Sequence, residues 1–355
     1  MSQSVPSIKD VARLAGVSAG TVSNVFSGNR PVTPELAAKV REAAQRIGYQ
    51  PDRAASQLRA GKARVIGVLV PELTNPFFTS LIAAIEAAAA EDGFDILVAS
   101  SGGYAESEAA RLATLLAWKP AGVVIVPSGD ELPFRAALDR ANVPFVLVDR
   151  VPEDFDGDAV QADNEEAGRQ AARHLIELGH REVVVVASSL KLRNIRERCA
   201  SIEKTFLAQG RRAPALIELG FSFETATERL AIFMRQDERP TAFLALTNFA
   251  TLGVLATLQK WDIEVPDDVS VLGFDDYSWM QAVSPPLTAI RQPLEEMGRQ
   301  AWRLLSRRIA DRAAAPMQAR LACRLVRRRS TAPPSGEKGS PADATREAPD
   351  EVSRA

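Results

Sequence analysis

In the stretch from Ser7 to Gly16, apolar side chains recur every three or four residues, which is the spacing of a helix with one buried face. Ser7 and Asp10 have the spacing of a helix-capping pair, and Gly16 would end the helix. A second short helix would start after Ser18 and turn Val22 toward the first. Two short helices joined by a glycine turn are typical of a helix-turn-helix unit.

A third helical pattern follows this pair. It starts at Thr33, has Pro34 at its first helical position and ends at Gly48. We therefore expect one small three-helix domain over residues 1–50. Residues 51–63 are polar and too short to form a stable helix by themselves. They are expected to act as a hinge between this domain and the rest of the chain.

Beyond residue 64 the pattern changes to short apolar runs that alternate with amphipathic helical stretches. The first run, RVIGVLVP at 64–71, is nearly all apolar, which is typical of a parallel strand covered on both faces. The alternation occurs in two series, and one helix of the second is predicted over Arg198–Gln209. Two such series predict an α/β fold with two doubly wound, parallel-sheet lobes. The stretch 333–355 is rich in Pro, Ser, Gly and charge, and is expected to be disordered.

The charge of the chain is divided unevenly. The first 64 residues hold ten Lys or Arg and four Asp or Glu, whereas the whole chain has a formal net charge of −2. The remaining 291 residues therefore carry a net charge of −8. A basic domain joined to an acidic body is typical of a DNA-binding module attached to a domain that does not contact phosphate.

Composition and motifs argue against several classes of protein. With 355 residues and 46% hydrophobic content, the chain can form two to three folding units. No signal peptide and no apolar stretch of membrane-spanning length are visible, so a cytoplasmic protein is expected. The two cysteines and two histidines show no metal-ligand spacing, and neither a metal nor a cofactor is expected. The absence of a Ser/His/Asp set, a phosphate loop or a GxGxxG motif argues against an enzyme.

The string SIKDVARLAGVSAGTVSNVFSG at 7–28 resembles the lac repressor and galactose repressor (LacI/GalR) family of bacterial transcription regulators, and the resemblance continues to about Ala332. It implies a DNA-binding headpiece followed by an effector domain over 64–332, similar in fold to ribose-type periplasmic sugar-binding proteins. Crossover strands near Gln161, Ala289 and Leu325 would divide this domain into two lobes. Lobe 1 would comprise about 64–160 plus 291–324, and lobe 2 about 161–290 plus 325–332. A homodimer would bind a near-palindromic operator and be associated with the nucleoid.

The resemblance also implies which residues contact DNA. Ala19, Gly20 and Asn24 match the base-contacting positions of the recognition helix, where a glycine suggests close approach of the helix to DNA. Phosphate contacts that set the register are expected from four residues: Ser18, Thr21, Ser23 and Arg30. In the hinge, Leu58 would enter the minor groove with Arg59 beside it.

Polar and aromatic residues stand at the carboxyl ends of the predicted strands, where open parallel sheets bind ligands. In the first series, up to the residue after the first crossover, they are Asn75, Phe77, Phe78, Asp149, Arg150 and Asn164. In the second series they are Arg198, Asn248, Asp275 and Gln292. The polar members offer planar, paired donors or acceptors, and two Arg would compensate two Asp in one cleft. Such a set can read a ring of hydroxyl groups.

Ribose-type sugar-binding proteins use the same residue types. By that resemblance, Phe77 or Phe78 and an aromatic residue of the other lobe, Phe221 or Phe223, would sandwich a sugar ring. The leading hypothesis is therefore a repressor of carbohydrate uptake or catabolism genes whose operator binding is modulated by a small sugar. Phe249 and the loop 190–195 depart from the family pattern at the border of this cleft.

Alternatives stay open for the effector and for single residues. The effector could be a nucleobase-like co-repressor, which would differ from an inducing sugar in the sign of its effect. A periplasmic transport receptor is opposed by the basic N-terminal domain. Asn164 and Asn248 could cap helices instead of contacting a ligand.

Overall fold

The computed structural model describes residues 6–27, 30–49, 64–235 and 239–335. The first two ranges form a headpiece of three helices: α1 (Ile8–Ala15), α2 (Ala19–Ser27) and α3 (Pro34–Arg46). Val11, Val22 and Val40, one from each helix, are fully buried in a single hydrophobic cluster. The predicted helix-turn-helix unit and the predicted third helix are thereby confirmed.

Local hydrogen bonds explain where the first two helices begin and end. The Asp10 carboxylate accepts hydrogen bonds from the Ser7 backbone N–H at 3.0 Å and from the Ser7 hydroxyl at 2.6 Å. Gly16 then adopts a left-handed φ of 66°, which favours glycine and stops α1. The Ser18 hydroxyl accepts a hydrogen bond from the Thr21 backbone N–H at 3.0 Å and so caps α2.

Two six-stranded sheets form the larger part of the chain. The strands are β1 (Val65–Val70), β2 (Asp95–Ser100), β3 (Val123–Ile125), β4 (Phe145–Val148), β5 (Ala159–Ala162), β6 (Val183–Ala187), β7 (Ala215–Glu218), β8 (Ala242–Ala245), β9 (Ser270–Phe274), β10 (Thr288–Arg291), β11 (Gln318–Leu321) and β12 (Arg324–Val326). The first sheet has the order β11-β5-β4-β3-β1-β2, and the second has the order β12-β10-β9-β8-β6-β7. Pairing is parallel except between β10 and β12.

Helices alternate with these strands, as the two series in the sequence predicted. They are α4 (Pro76–Glu91), α5 (Ala105–Ala117), α6 (Arg135–Ala141), α7 (Asn164–Glu177), α8 (Arg193–Ala208), α9 (Phe223–Phe233), α10 (Asn248–Lys260), α11 (Trp279–Ala282) and α12 (Leu294–Ala310). Close approach of α7 and α8 depends on Gly168, because a Cβ at that position would lie 2.6 Å from the Arg198 carbonyl oxygen. This contact holds α8 against α7, which starts directly after β5.

The chain passes between the two sheets three times. It leaves the first sheet after Ala162, returns after Arg291, and enters the second sheet again between Leu321 and Arg324. The three strands named from the family resemblance are β5, β10 and β12. We use lobe 1 for the part built on the first sheet and lobe 2 for the part built on the second.

The structure corrects one predicted helix start and rules out two alternatives that the sequence left open. Helix α8 begins at Arg193 and not at Arg198, because Ile195 is buried in the lobe 2 core and extends the apolar face of the helix by one turn. Asn164 and Asn248 do not cap α7 and α10. The caps are the preceding residues Asp163 and Thr247, whose side chains accept backbone N–H groups at 3.0 Å and 3.4 Å.

Some predictions fall on residues outside the described ranges. These are the hinge at 51–63, which includes Leu58 and Arg59, and residues 336–355 of the expected tail. Within the described ranges, no helix is both long and apolar enough to cross a bilayer, and no cluster of His, Cys, Asp and Glu could hold a metal ion. Cys199 and Cys323 are free thiols, and burial raises their pKa to about 11 and about 12.

Candidate functional site

A small cavity lies where residues from strand ends of both lobes meet. Its volume is about 50 Å³, room for only a few water molecules, so the two lobes are closed on each other. The lining side chains are mostly polar or aromatic: Glu72, Asn75, Phe77, Phe78, Asp149, Arg150, Ser188, Leu192, Asn194, Ile195, Arg198, Phe221, Thr247, Phe249, Asp275 and Gln292.

Arg198 is the buried cation of the lobe 2 wall and is only 3% exposed. Its Nε donates to the Asn164 side-chain oxygen at 2.9 Å, and its Nη1 donates to the Leu246 carbonyl at 3.0 Å. The guanidinium carbon also lies 4.5 Å from the centre of the Phe274 ring. The orientation of Arg198 is therefore fixed by lobe 2 alone.

Asp275 is the buried carboxylate of the same wall and has a left-handed φ of 81°, an uncommon conformation for a residue with a side chain. The Gln292 side-chain amide donates to Oδ1 at 2.6 Å, and the Tyr277 hydroxyl donates to Oδ2 at 2.9 Å. Burial raises the pKa of the Asp275 carboxyl above its usual value, while the charge of Arg198 and these hydrogen bonds oppose the rise.

The lobe 1 wall combines two aromatic rings with a second cation. The Asn75 side chain caps α4 by accepting the Phe77 backbone N–H at 3.1 Å, which brings Phe77 and Phe78 to the cavity. The two rings pack edge to face with centroids 5.2 Å apart. The guanidinium of Arg150 lies 5.4 Å from the centre of the Phe78 ring.

Asp149 is the buried carboxylate of lobe 1, and it also has a left-handed backbone, with φ of 66°. The Asn194 amide of lobe 2 donates to its two oxygens at 3.3 Å and 3.2 Å. The Arg150 Nε lies 3.9 Å away. Burial raises the pKa of Asp149, the charges of Arg150 and Arg198 oppose this, and Asp275 adds to the rise. The hydrogen-bond donor to the Asp149 carboxylate thus comes from the lobe across the cleft.

The fully buried carboxylate of Glu108 and the side chain of Arg150 both bind the turn at 127–128. Glu108 of α5 accepts the Ser128 backbone N–H, and Arg150 Nη1 donates to the Pro127 and Ser128 carbonyls at 3.2 Å and 3.4 Å. Burial raises the pKa of Glu108, and its bonds to Ser128 and the charge of Arg150 oppose the rise. The turn at 127–128 is therefore held from two sides.

The structure brings most of the predicted effector residues together. Those that line the cavity are Asn75, Phe77, Phe78, Asp149, Arg150, Arg198, Asp275 and Gln292. Asn164 and Asn248 are buried behind the wall, where they accept hydrogen bonds from Arg198 and Trp279 Nε1. Phe223 lies outside the lining set at the start of α9, and Phe221 lines the cavity in its place.

Several lining residues were not predicted as ligand contacts, among them Glu72, Ser188, Asn194 and Thr247. Asn194 had a readable signal. It precedes Arg198 by one helical turn, so the two share a face once α8 is started at the right residue. Glu72, Ser188 and Thr247 carried no comparable signal beyond their position after strands.

Three buried polar atoms at the cavity have no hydrogen-bond partner in the described part of the chain: Arg150 Nε, Ser188 Oγ and Gln292 Oε1. Buried polar groups are nearly always paired, so unpaired ones in a cleft are typical of a ligand site. A ligand that offers both donors and acceptors, such as a polyol, would satisfy them.

The second surface of interest is the exposed side of α2. Ser18 and Gly20 are exposed, Arg30 is exposed beyond the helix, and Asn24 is half-buried. A Cβ on Gly20 would meet only the Ser18 hydroxyl oxygen at 3.6 Å, an ordinary contact. The fold itself therefore does not require a glycine at this position. The remaining predicted contacts lie on or beside the same helix: Ala19, Thr21 and Ser23.

Comparison with known proteins finds a match for each part of the chain that carries one of these two surfaces, the headpiece with α2 and the two-lobed domain with the cavity. Residues 7–52 match the family described as bacterial regulatory proteins, lacI family, and residues 172–331 match the periplasmic binding protein-like domain. The HTH-type transcriptional repressor PurR of Vibrio atlanticus (strain LGP32) is 32% identical over 308 residues, covering 86% of this chain and 92% of the relative. The ribose operon repressor of Escherichia coli (strain K12) is 30% identical over 307 residues, covering 86% and 93%.

Among solved structures, the lac repressor dimer bound to operator and the anti-inducer ONPF superposes with a TM-score of 0.81 at 26% identity, covering 93% of this chain and all of that one. A helix-turn-helix headpiece joined to a two-lobed domain with a polar cleft defines a ligand-responsive transcription regulator. The chain belongs to the lacI family of bacterial regulatory proteins, and it is a DNA-binding transcriptional repressor.

Proposed function

We propose that this repressor controls genes of carbohydrate uptake or catabolism and that a small sugar, bound between the lobes, modulates its affinity for the operator. The observation that carries the proposal is the cleft itself, where two buried Asp–Arg sets and two Phe rings surround unpaired polar atoms. Planar, paired donors and acceptors beside aromatic faces suit a ring of hydroxyl groups. The relative named as a ribose operon repressor supports the same effector class.

The ligand would act by changing lobe closure. Because the cavity holds about 50 Å³ in the closed form, a sugar must enter an open form and stabilise a different degree of closure. In a homodimer this would change the spacing of the two headpieces and hence the free energy of operator binding. We propose domain limits of 1–50 for the headpiece, 51–63 for the hinge and 64–332 for the effector domain, with 333–355 as a tail.

Exposed edges of both sheets support a homodimer. Strands β2 and β7 are edge strands, and Val98 on β2 and Leu216 on β7 are large apolar side chains that are 40% and 42% exposed. An exposed sheet edge with an apolar side chain is a surface on which a partner subunit can pack. The similar lac repressor structure is a dimer on its operator. A two-fold dimer requires a near-palindromic site.

We propose that bases are read by Ala19, Gly20 and Asn24. The phosphate contacts would be made by Ser18, Thr21, Ser23 and Arg30, and the minor-groove contacts by Leu58 and Arg59. Support comes from Gly20, because the fold leaves room for a side chain at this position and does not itself require a glycine. The bidentate pairing of an Asn side chain with adenine is a known mode of readout.

A nucleobase-like co-repressor is the second candidate, and the relatives named PurR favour it. The two hypotheses predict opposite effects of the ligand on operator affinity, because an inducing sugar weakens operator binding whereas a co-repressor strengthens it. A gel-shift assay with a promoter fragment, with and without each ligand, separates them.

We further propose that the protein is not an enzyme and that it works in the cytoplasm on chromosomal DNA. Support comes from its relatives, which are named as repressors. Measured turnover of any bound sugar would contradict the first part.

Deletion of residues 1–63 tests whether operator binding and ligand binding belong to separate parts of the chain. We expect the truncated protein to keep its sugar affinity and to lose operator binding, measured by thermal shift and by gel shift with the full chain as control. Loss of sugar binding in the truncated protein would contradict the proposal.

A further inference from the structure

We propose that the cleft selects an uncharged effector rich in hydrogen-bond donors and rejects the phosphorylated and carboxylated derivatives of the same molecule. This inference rests on the proposed function, because it takes the cleft as the effector site. It adds the charge class of the ligand, which the family alone does not supply.

The first support is the charge of the lining. Three carboxylates, Glu72, Asp149 and Asp275, face the cavity together with two guanidinium groups, Arg150 and Arg198. With every group ionised, the lining therefore has a formal excess of one negative charge. Glu108, a buried carboxylate outside the lining, adds a fourth negative charge that acts on Arg150. An anionic ligand would enter a buried site whose cations are already outnumbered.

The second support is the use of the two guanidinium groups. Arg198 directs Nε and Nη1 at protein oxygens of Asn164 and Leu246 and stacks on Phe274. Arg150 directs Nη1 at two main-chain carbonyls of the 127–128 turn. A phosphate or carboxylate is usually held by two parallel N–H groups of one Arg or by several cations. Arg198 therefore keeps neither of its forks whole for a ligand. The Nε of Arg150 has no hydrogen-bond partner in the described part of the chain, but it lies 3.9 Å from the Asp149 carboxylate, which compensates its charge.

The two cations in the first turn of α8 are also compensated. Arg193 pairs with Glu197 at 3.0 Å and donates to the Val151 carbonyl at 3.1 Å. Arg196 pairs with Asp130 at 2.6 Å. Neither pair belongs to the cavity lining, and neither adds an uncompensated positive charge beside it.

The third support is the set of acceptors. Asp149 is bound by a neutral amide from Asn194, and Asp275 by the neutral side chains of Gln292 and Tyr277. The Gln292 oxygen has no donor at all in the described part of the chain. Hydroxyl or N–H groups of a ligand can replace Asn194 at Asp149 and fill this acceptor. Asn194 therefore occupies the position at Asp149 that a donor group of the ligand would take, and it contributes to specificity in this way.

The test is a panel of matched pairs measured on the full chain by thermal shift and calorimetry. Each uncharged sugar is paired with its own anion: ribose with ribose 5-phosphate, and glucose with glucose 6-phosphate and gluconate. The panel is completed by other pentoses, hexoses, disaccharides and sugar alcohols, and by hypoxanthine and guanine. We expect the uncharged member of a binding pair to bind about 100-fold more tightly or better than its anion.

The outcomes are separable. An anionic member that binds more tightly than its uncharged parent would overturn this inference and leave the sugar proposal standing. Binding of a nucleobase without any sugar would overturn the sugar proposal and support this inference. A panel this broad without any binding would contradict both.

A charge-removing variant provides a second test. Asp149→Asn should bind the uncharged sugar about 10-fold more weakly. It should also lower the ratio of the affinity for the uncharged sugar to the affinity for its phosphate ester by about 10-fold. Asp130→Asn is the matched control, because it removes the same charge outside the cavity lining and should leave the preference unchanged. An unaltered preference in Asp149→Asn, with binding retained, would contradict the inference.

Discussion

The two walls of the cleft are built in different ways. In lobe 2, Arg198 is held by Asn164 and Leu246 of the same lobe. Asp275 is held by Tyr277 of lobe 2 and by Gln292, which directly follows the crossover strand β10. In lobe 1, Asp149 receives its hydrogen bonds from Asn194, which belongs to the other lobe. The lobe 2 wall is thus pre-formed, whereas the lobe 1 wall is completed only when the lobes close.

This difference teaches how binding and closure are linked. A ligand can first engage the pre-formed wall at little cost in ordering its side chains. Closure then supplies the remaining contacts from lobe 1, and the ligand competes with Asn194 for Asp149. The free energy of closure therefore depends on which groups the ligand presents, and this dependence is what a repressor needs in order to sense it.

The largest expected effect follows from removing the centre of the pre-formed wall. Arg198→Ala removes the cation that acts on Asp275 and the donor to the Asn164 side-chain oxygen and the Leu246 carbonyl. It also removes the weaker of two positive charges that act on Asp149. We expect a loss of about 3–5 kcal/mol in the free energy of unfolding, because breaking a buried charge network leaves uncompensated charge. We also expect loss of measurable effector binding.

Urea unfolding and calorimetry measure both effects. The control is Arg196→Ala, whose half-exposed pair with Asp130 should contribute at most about 1 kcal/mol. Equal losses in the two variants would contradict the contrast between the buried wall and this partly exposed pair.

The lobe 1 wall should show a smaller and different effect. Asn194→Ala removes the only hydrogen-bond donors to Asp149 within the described chain, which should cost about 1.5–3 kcal/mol of lobe closure. We expect a larger radius of gyration in small-angle scattering and faster hydrogen exchange at 149–151. Lys191→Ala, an exposed neighbour, serves as the control. A closed cleft in Asn194→Ala would show that closure does not depend on this contact.

The lobes should also differ in their response to acid. Both histidines of the chain, His174 and His180, lie in lobe 2, and burial lowers the pKa of each. The unfolded state then binds protons that the folded state excludes, so lobe 2 loses stability as pH falls below the unfolded value of about 6.5. The slope is at most about 1.4 kcal/mol per pH unit for each histidine.

Hydrogen exchange at pH 7.5 and pH 5.5 measures this response lobe by lobe. The variant with His174→Gln and His180→Gln isolates the histidines from the carboxyl groups of the cleft, whose raised pKa acts in the opposite direction. An unchanged pH dependence in this variant would contradict the assignment.

The smallest expected effect extends the comparison to the headpiece. Gly20→Ala should stabilise the headpiece by about 0.5–1 kcal/mol, since alanine is the better helix former and the space is open. Operator binding should nevertheless weaken. Thermal unfolding and gel shift of the same protein measure the two quantities. Stabilisation without loss of operator binding would remove the argument that Gly20 faces DNA.

The sequence predicted the elements of the fold well because their signals are local. Apolar runs identified the strands, and the Ser7–Asp10 pair and Gly16 fixed the ends of α1. The start of α8 was wrong because the buried Ile195 stands in a polar stretch, where its burial depends on the packing of lobe 2. Tertiary packing overrides local pattern at such positions.

The candidate site was predictable only in part. Strand ends indicated Asp149, Arg198 and Asp275, since parallel sheets bring such residues together. The contact of Asn194 with Asp149 could not be predicted, because it depends on the degree of closure between lobes. The side on which Phe221 and Phe223 lie depends on a turn before α9 that the pattern does not specify.

The most direct test of the central claim is the operator affinity of the full chain with and without effector. We expect the protein to prefer a fragment from its own promoter region over random duplex at moderate salt, measured by fluorescence anisotropy. The uncharged ligand found in the panel should change this Kd by about 10-fold or more, and it should leave the Kd of the Arg198→Ala variant unchanged. No preference for any promoter fragment over random duplex, with and without ligand, would contradict the account.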